Sequence, residues 1–211
     1  MRHAESVANV SGILAGRTDP TPLTAKGRGA ARALAPVVAS FDPEVSLVSP
    51  LLRCRQTSEL AGRGDVSIDE RLIEMDYGRW SGKSLKALSR RQEWSHIQSN
   101  PEAFTFPQGE SFQSASSRLL DLTEDLLQRK EERFLLVSHG DICRILINNL
   151  LGRTLNAFQH ILIEPASHSL LVVSKENNDR EIKPATIGYL NRLPLIDSNI
   201  GPTKKFTLGG E

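Results

Sequence analysis

The sequence predicts an α/β fold, a three-layer sandwich in which helices flank a mostly parallel central sheet. Two short apolar segments, 44–48 and 134–137, have the composition of strands, and the second has the continuous pattern of a strand buried on both faces of a parallel sheet. Each is followed by a polar turn and then by a helical pattern, as expected when strands alternate with helices. At 211 residues, 39% of them hydrophobic, the chain is long enough for one domain with a full core.

Caps and apolar spacing define the individual elements. Thr24 is a suitable N-cap for a helix that Pro36 should end or kink. The best helix covers 112–126, where apolar side chains recur at alternating steps of three and four. Residues 92–110 show no clear period. The predicted order is a helix from Thr24, a strand at 44–48, a helix at 53–61 stopped by Gly62, a strand at 66–68, a structured loop at 72–82, a helix at 84–91, the helix at 112–126, a strand at 134–137, a helix at 142–150, and a hairpin of 169–173 with 181–190 around 177–179.

Charge and cysteine content exclude several classes of function. Lys and Arg number 26 and Asp and Glu 25, a formal net charge of +1, so no global field favours nucleic acid or a membrane surface. No apolar run approaches the roughly 18 residues of a membrane span. Cys54 and Cys143 are too few and too isolated for a disulfide framework or a zinc site. We therefore expect a cytoplasmic protein that binds no metal, nucleic acid or membrane.

Two polar residues lie where a parallel sheet gathers its ligands, beyond the carboxyl ends of strands, and a polar pair opens the chain. His139 directly follows the strand at 134–137, and Arg53 follows the strand at 44–48. Arg2 and His3 open the chain. Arginine offers a planar, permanently charged fork for phosphate oxygens, and a neutral histidine can accept a phosphoryl group covalently.

Together these motifs resemble the histidine phosphatase superfamily, with its phosphoglycerate mutase-like fold. The resemblance runs in order over about residues 1–190. It consists of Arg2-His3-Ala4-Glu5-Ser6 with Asn9, Pro22-Leu23-Thr24 with Gly27, Ser49-Pro50-Leu51-Leu52-Arg53 with Gln56-Thr57, Glu74 with Gly78, Trp80 and Gly82, and Ser138-His139-Gly140. It implies a catalytic domain over 1–193, with a helical or loop excursion at about 83–110, and a C-terminal tail over 194–211.

The resemblance also implies roles for the site residues. His3 would become a phosphohistidine, and Arg2, Arg53 and His139 would hold the phosphate oxygens. Glu74 would protonate the leaving oxygen and then activate water, although Asp69, Glu70 and Asp76 lie near enough in sequence to serve instead. Asn9 and Arg17 would bind the phosphate or the rest of the substrate. No cofactor is required, because the guanidinium groups supply the positive charge.

Three functions follow from this resemblance. We favour hydrolysis of a small phosphorylated substrate, because the segment between Gly82 and Pro107 is shorter than the insertion expected of mutases. Phosphoglycerate mutase-type transfer is the first alternative, and an inactive phosphate-binding or scaffold protein is the second. A homodimer is compatible with each of them.

The start of the chain departs from the family pattern. Ala4 stands where glycine is usual, and only Met1 precedes the Arg-His pair, which normally ends a central strand. We expect either that the protein begins upstream with further apolar residues or that another segment fills the place of the strand. If the protein does begin at Met1, His3 should lie on a frayed end and activity should be weak.

Overall fold

A parallel sheet forms the centre of the molecule. The structure is a computed structural model that describes residues 1–174 and 183–195. Strand β1 (Val45–Val48) pairs on one side with β2 (Ser67–Ile68) and on the other with β3 (Phe134–Val137), in the order β2-β1-β3. The register places Val48 opposite both Ile68 and Val137. A separate antiparallel pair is formed by β4 (His168–Val172) and β5 (Thr186–Arg192).

Helices cover both faces of the sheet and form the two outer layers. They are α1 (Val7–Val10), α2 (Ala25–Ala33), α3 (Ala35–Phe41), α4 (Leu52–Leu60), α5 (Leu85–Leu88), α6 (Gln92–Ser99), α7 (Phe112–Gln128) and α8 (Gly140–Leu150), with 3-10 turns at Glu70–Leu72, Gly78–Trp80, Pro101–Ala103 and Leu155–His160. Successive strand residues point to opposite faces. Leu47 and Leu136 accordingly pack in the core with α7 and α8, while Val48 and Val137 pack with Cys54 of α4.

The predicted α/β sandwich is confirmed, and most elements lie close to their predicted positions. Thr24 caps α2 as expected, and the chain breaks at Leu34 into two helices, consistent with Pro36 in the first turn of α3. The helix predicted at 84–91 is shorter than expected, and α6 was missed. The predicted hairpin exists as β4 and β5, but β5 begins at Thr186, and the predicted turn at 177–179 lies outside the described residues. So does most of the predicted tail, from residue 196 onward.

One prediction about β3 was wrong. Phe134, Leu135 and Leu136 are only partly buried, whereas the continuous apolar pattern predicted burial on both faces. The reason is that, within residues 1–174 and 183–195, β3 has no full strand beside it on the side away from β1. There, in the described part of the chain, the pairing consists of a single parallel bridge between Arg2 and Ser138.

Residues 1–3 lie at the place predicted for the end of a central strand. The amino group of Met1 donates to the Leu136 carbonyl at 2.8 Å, and the amide of His3 donates to the Ser138 carbonyl at 2.8 Å. On the other side, the amide of Arg2 donates to the Ser167 carbonyl at 3.0 Å. His3 is therefore held on both sides and is 3% exposed, so the expectation of a frayed end was wrong for this structure.

The excursion at 83–110 packs on the same core as α7 and α8. Trp80 is buried and stacks on Trp94 of α6, with 6.2 Å between ring centroids, and its ring also meets Phe106 edge to face. Aromatic packing therefore joins the excursion to the acid-motif segment. Within the described residues, no helix is both long and apolar enough to cross a membrane.

The start of α2 packs directly on the backbone of the opening loop. The Thr24 amide donates to the Glu5 carbonyl at 3.0 Å, and a Cβ added at Gly27 would lie 2.0 Å from the same oxygen. A side chain at residue 27 would thus push the helix away from the loop that carries His3.

We predict that Gly27→Ala destabilises the protein by about 1–3 kcal/mol, the usual cost of overpacking. The matched control is Gly29→Ala in the same helix, where an added Cβ meets nothing within 4 Å. That variant should be neutral or more stable by up to about 1 kcal/mol, because alanine is the better helix former. Denaturant unfolding followed by circular dichroism measures both, and equal effects of the two substitutions would contradict the assignment.

Candidate active site

The loop that carries His3 is fixed to helix α4 by one side chain. The Thr57 hydroxyl accepts a hydrogen bond from the Ala4 amide at 3.0 Å and donates its own proton to the Arg53 carbonyl at 2.7 Å. Ala4 is fully buried against this helix. The two motifs that supply His3 and Arg53 are therefore joined through their backbones, which limits how far the two side chains can move apart.

The ring of His3 presents one nitrogen as an electron-pair donor. Its Nδ1 lies 2.8 Å from the Ala4 carbonyl oxygen, which can only accept, so Nδ1 carries the proton and Nε2 has the free lone pair. Burial lowers the pKa of His3 well below its ordinary value of 6.5, and the charges of Arg53 and Arg2 lower it further. The imidazole is consequently neutral near pH 7, the form required of a nucleophile.

Two buried arginines line the same pocket. Arg2 donates from Nη1 to the Ile163 carbonyl at 2.7 Å, while its Nε has no acceptor among the described residues. Its guanidinium lies against Gly140, where an added Cβ would come within 3.3 Å of Cζ. Arg53 donates from Nη2 to the Gly16 carbonyl at 2.7 Å. Each guanidinium is thus anchored by a carbonyl and keeps further N–H groups for an anion.

Of the four candidate acids named from the sequence, Glu74 is the one that lines the pocket. Its Oε1 accepts from the Met75 amide at 2.9 Å. Burial, together with the nearby Asp141 carboxylate, raises the pKa of Glu74 to about 7 against the opposing charge of Arg53. A carboxyl group with such a pKa can donate or accept a proton near neutrality.

The other candidate acids have different surroundings. Asp69 pairs with Arg71 at 2.7 Å, and Asp76 accepts from the Gly78 amide at 2.9 Å. Glu70 is exposed on a 3-10 turn. None of these three side chains lines the pocket with His3.

His139 lies behind the pocket, not in its lining. It is fully buried, and its Nε2 is 2.7 Å from the Ser49 hydroxyl. Its ring is 5.2 Å from that of His3, edge to face, and its Nδ1 is 3.9 Å from Oε2 of Glu74. Burial lowers its pKa well below 6.5, helped by the charge of Arg53. The second histidine is therefore a neutral group between the candidate nucleophile and the candidate acid.

The two remaining predicted residues differ in position. Asn9 lines the pocket, and its Oδ1 accepts from both the amide and the hydroxyl of Ser6, which caps α1. Arg17 is not in the lining. Its Nε donates to the Glu74 carbonyl at 3.0 Å, and its Nη2 pairs with Glu110 at 3.1 Å. The substrate-binding role predicted for Arg17 stays a prediction, while the observed contacts position the Glu74 segment.

Sequence reasoning missed two polar side chains of this pocket that bond to each other. Tyr77 and Asp141 both line it, and the Tyr77 hydroxyl donates to Oδ2 of Asp141 at 2.8 Å. Burial raises the pKa of Tyr77 well above 10, so its hydroxyl keeps its proton. The signal available in the sequence was position, because Tyr77 lies within the acid motif and Asp141 lies two residues after His139.

Taken together, the pocket combines a neutral imidazole, two guanidinium groups and a carboxyl group that titrates near neutrality. Such a set can bind a phosphate dianion, attack its phosphorus and move a proton to or from an attached oxygen. Across the described residues, no three His, Cys, Asp or Glu side chains are grouped as metal ligands.

Comparison with known proteins agrees with this chemistry. Residues 1–182 match the family model of the histidine phosphatase superfamily (branch 1). Phosphoserine phosphatase 1 of Hydrogenobacter thermophilus is 29% identical over 184 residues, which cover 84% of this chain and 87% of that protein. A Cronobacter sakazakii protein named "Probable phosphoglycerate mutase" is 33% identical over 159 residues, which cover 72% of this chain and 73% of the other.

Solved structures give the same fold. The crystal structure of the alpha-ribazole phosphatase from Shigella flexneri superposes with a TM-score of 0.78 at 28% identity, covering 94% of this chain and 98% of that one. A phosphoserine phosphatase variant from Entamoeba histolytica, at 23% identity, superposes with a TM-score of 0.77 and covers 90% and 93% of the two chains.

The raised pKa of Glu74 predicts a measurable change of stability with pH. The folded protein keeps the proton up to about pH 7, whereas the unfolded chain releases it near 4.5. Raising the pH between these values therefore lowers the free energy of unfolding, by up to about 1.4 kcal/mol per pH unit. Glu74→Gln removes this loss, so the variant should gain stability relative to the unmodified protein across this interval.

Denaturant unfolding at pH 5, 6 and 7 measures the difference. Comparing the two proteins cancels the contribution of the buried histidines to the free energy of unfolding. Their lowered pKa values make that contribution rise with pH in both proteins. The exposed carboxyl Glu70, changed by Glu70→Gln, is the control and should leave the pH profile unaltered. Parallel profiles for Glu74→Gln and the unmodified protein would contradict a raised Glu74 pKa.

Proposed function

The chain belongs to the histidine phosphatase superfamily (branch 1), and from this premise we propose that it hydrolyses phosphomonoesters through a phosphohistidine on His3. The observation that carries the proposal is the state of His3, a neutral ring whose Nδ1 proton faces the Ala4 carbonyl and whose Nε2 lies in a pocket with two arginines. An unprotonated nucleophile beside fixed positive charge is the arrangement that phosphoryl transfer requires.

In the first step, Nε2 of His3 attacks the phosphorus atom and the bond to the ester oxygen breaks. Arg2 and Arg53 hold the non-bridging oxygens, where charge accumulates in the transition state. Glu74 gives its proton to the departing oxygen, so an alcohol leaves and the carboxylate remains. The Ala4 carbonyl stabilises the positive charge that develops on the imidazole through its hydrogen bond to Nδ1.

In the second step, the Glu74 carboxylate removes a proton from a water molecule that attacks the phosphohistidine. Inorganic phosphate leaves, His3 regains its neutral form and Glu74 is protonated again, so the cycle is balanced. The contact predicted between His139 and a phosphate oxygen stays a prediction, because its buried ring lies behind the pocket lining, next to His3 and Glu74. No added metal is needed in this scheme, because the two arginines provide the charge.

The names of similar proteins support a small phosphorylated substrate. Two relatives are named for phosphoserine and alpha-ribazole phosphatase activities. We place the activity in the cytoplasm, because Cys54 and Cys143 are both unpaired. A homodimer stays a prediction.

Mutase activity is the alternative that the relative from Cronobacter sakazakii favours. A mutase must return the phosphoryl group to a second hydroxyl before water reaches the phosphohistidine. The two activities differ in their products from 3-phosphoglycerate. We expect any turnover of 3-phosphoglycerate, slow or fast, to release inorganic phosphate, and accumulation of 2-phosphoglycerate without phosphate release would favour the mutase. A scaffold protein would release phosphate neither from 3-phosphoglycerate nor from an uncharged aryl ester such as phenyl phosphate.

We predict that the purified protein hydrolyses 4-nitrophenyl phosphate in the presence of a chelator and that His3→Ala lowers the rate by at least about 1,000-fold, as expected when a covalent nucleophile is removed. The control is His96→Ala, which changes an exposed histidine of α6 and should retain the full rate. A His3→Ala protein that is folded and retains the rate would contradict the proposal.

A further inference from the structure

The arginines in and near the pocket either face the transferred phosphoryl group or form ion pairs with carboxylates. Arg2 and Arg53 line the pocket and, in the proposed reaction, both face the phosphoryl group that is transferred. Arg17 lies outside the lining and pairs with Glu110. Arg144 is 7% exposed and pairs with Asp141. Over residues 1–174 and 183–195, the pocket lining thus contains no third cation that could receive another anionic group of a substrate.

In the ion pair between Asp141 and Arg144, Asp141 is the member that lines the pocket. Its Oδ1 accepts from Nη1 of Arg144 at 3.1 Å, and its Oδ2 accepts from the Tyr77 hydroxyl at 2.8 Å. Arg144 is turned away, because its Nε donates to the Ile161 carbonyl at 3.0 Å, and it does not contribute to the lining. The carboxylate is therefore fixed on the wall of the pocket, with its counter-charge behind it.

Another part of the pocket lining is apolar. The segment between α1 and Gly16 contributes Ala8, Ile13, Leu14 and Ala15 to the lining. Next to it on α1, Val7 is 43% exposed and Val10 is 68% exposed. The alcohol part of a bound ester would accordingly enter a pocket lined by both apolar side chains and a fixed carboxylate.

We propose that the pocket selects phosphomonoesters whose alcohol part is apolar and carries no negative charge, and that Asp141 is the residue that rejects anionic ones. The inference rests on the proposed phosphatase function and specifies its substrate class. An anionic group on the alcohol would face Asp141 at short range without a cation to compensate it. An apolar alcohol part is not repelled by Asp141, and it is stabilised by contact with the apolar side chains of Ala8, Ile13, Leu14 and Ala15.

Phenyl phosphate and 4-carboxyphenyl phosphate form the matched pair that tests this inference. The carboxylate makes the phenol a slightly better leaving group, so intrinsic reactivity opposes the expected preference. We expect kcat/KM to be at least tenfold higher for phenyl phosphate, and the ratio to fall as salt screens the repulsion. If phenyl phosphate is not hydrolysed, the proposed function fails. If it is hydrolysed with a ratio near one or below, only the substrate inference is overturned.

The variant Asp141→Asn tests which residue is responsible. It removes the carboxylate and leaves the charge of Arg144 without its partner, so the ratio should fall at least fivefold. Using the ratio within one variant cancels changes in folded fraction and in the ionisation of Glu74. The control is Asp121→Asn on the exposed face of α7, which should keep the ratio of the unmodified protein. An unchanged ratio in Asp141→Asn would overturn the assignment to Asp141, and the unmodified protein's ratio decides the substrate class if that variant does not fold.

Discussion

The hydrogen bonds that hold residues 1–3 between β3 and the segment before β4 are the constraint on which the site depends. His3 forms backbone hydrogen bonds on both sides. Its amide donates to the Ser138 carbonyl, and its carbonyl accepts from the Ala166 amide. A third bond joins Ala4 to Thr57. These contacts bury the ring and fix its Nδ1 on the Ala4 carbonyl, and both consequences are needed for a neutral nucleophile with a defined tautomer.

Burial then determines the protonation of the remaining groups. Removing water disfavours charged imidazole and charged carboxylate alike, so the pKa values of His3 and His139 fall while that of Glu74 rises to about 7. The arginines keep their charge in the same surroundings because guanidinium has a much higher pKa. One physical effect thus produces a neutral nucleophile, a proton donor and a fixed positive field within a single pocket.

The sequence predicted much of the fold because most elements have strong local signals. The stripe of α7 and the cap at Thr24 are properties of neighbouring residues, and both are confirmed. Helix α6 was missed because few apolar residues mark it, and Ile97 is its one fully buried side chain. The burial of β3 was overestimated because it depends on what lies beside the strand, which no local pattern contains.

Local motifs likewise predicted part of the site. Motifs indicated Arg2, His3, Arg53 and Glu74 of the pocket lining, but contacts between distant segments decided their surroundings. Arg17 pairs with Glu110, 93 residues away, and Tyr77 meets Asp141 across 64 residues. Neither pair has a signature in the sequence, and both determine which charges face a substrate and which are compensated elsewhere.

The most direct test of the account is the chemical identity of the phosphorylated intermediate. The protein would be mixed with a ³²P-labelled phosphomonoester, quenched within milliseconds in alkaline denaturant and mapped by peptide mass spectrometry. The account predicts a label that is stable to base, labile to acid and located on the peptide containing His3. A label on another residue, or rapid hydrolysis with no label on the protein at any quench time, would contradict it.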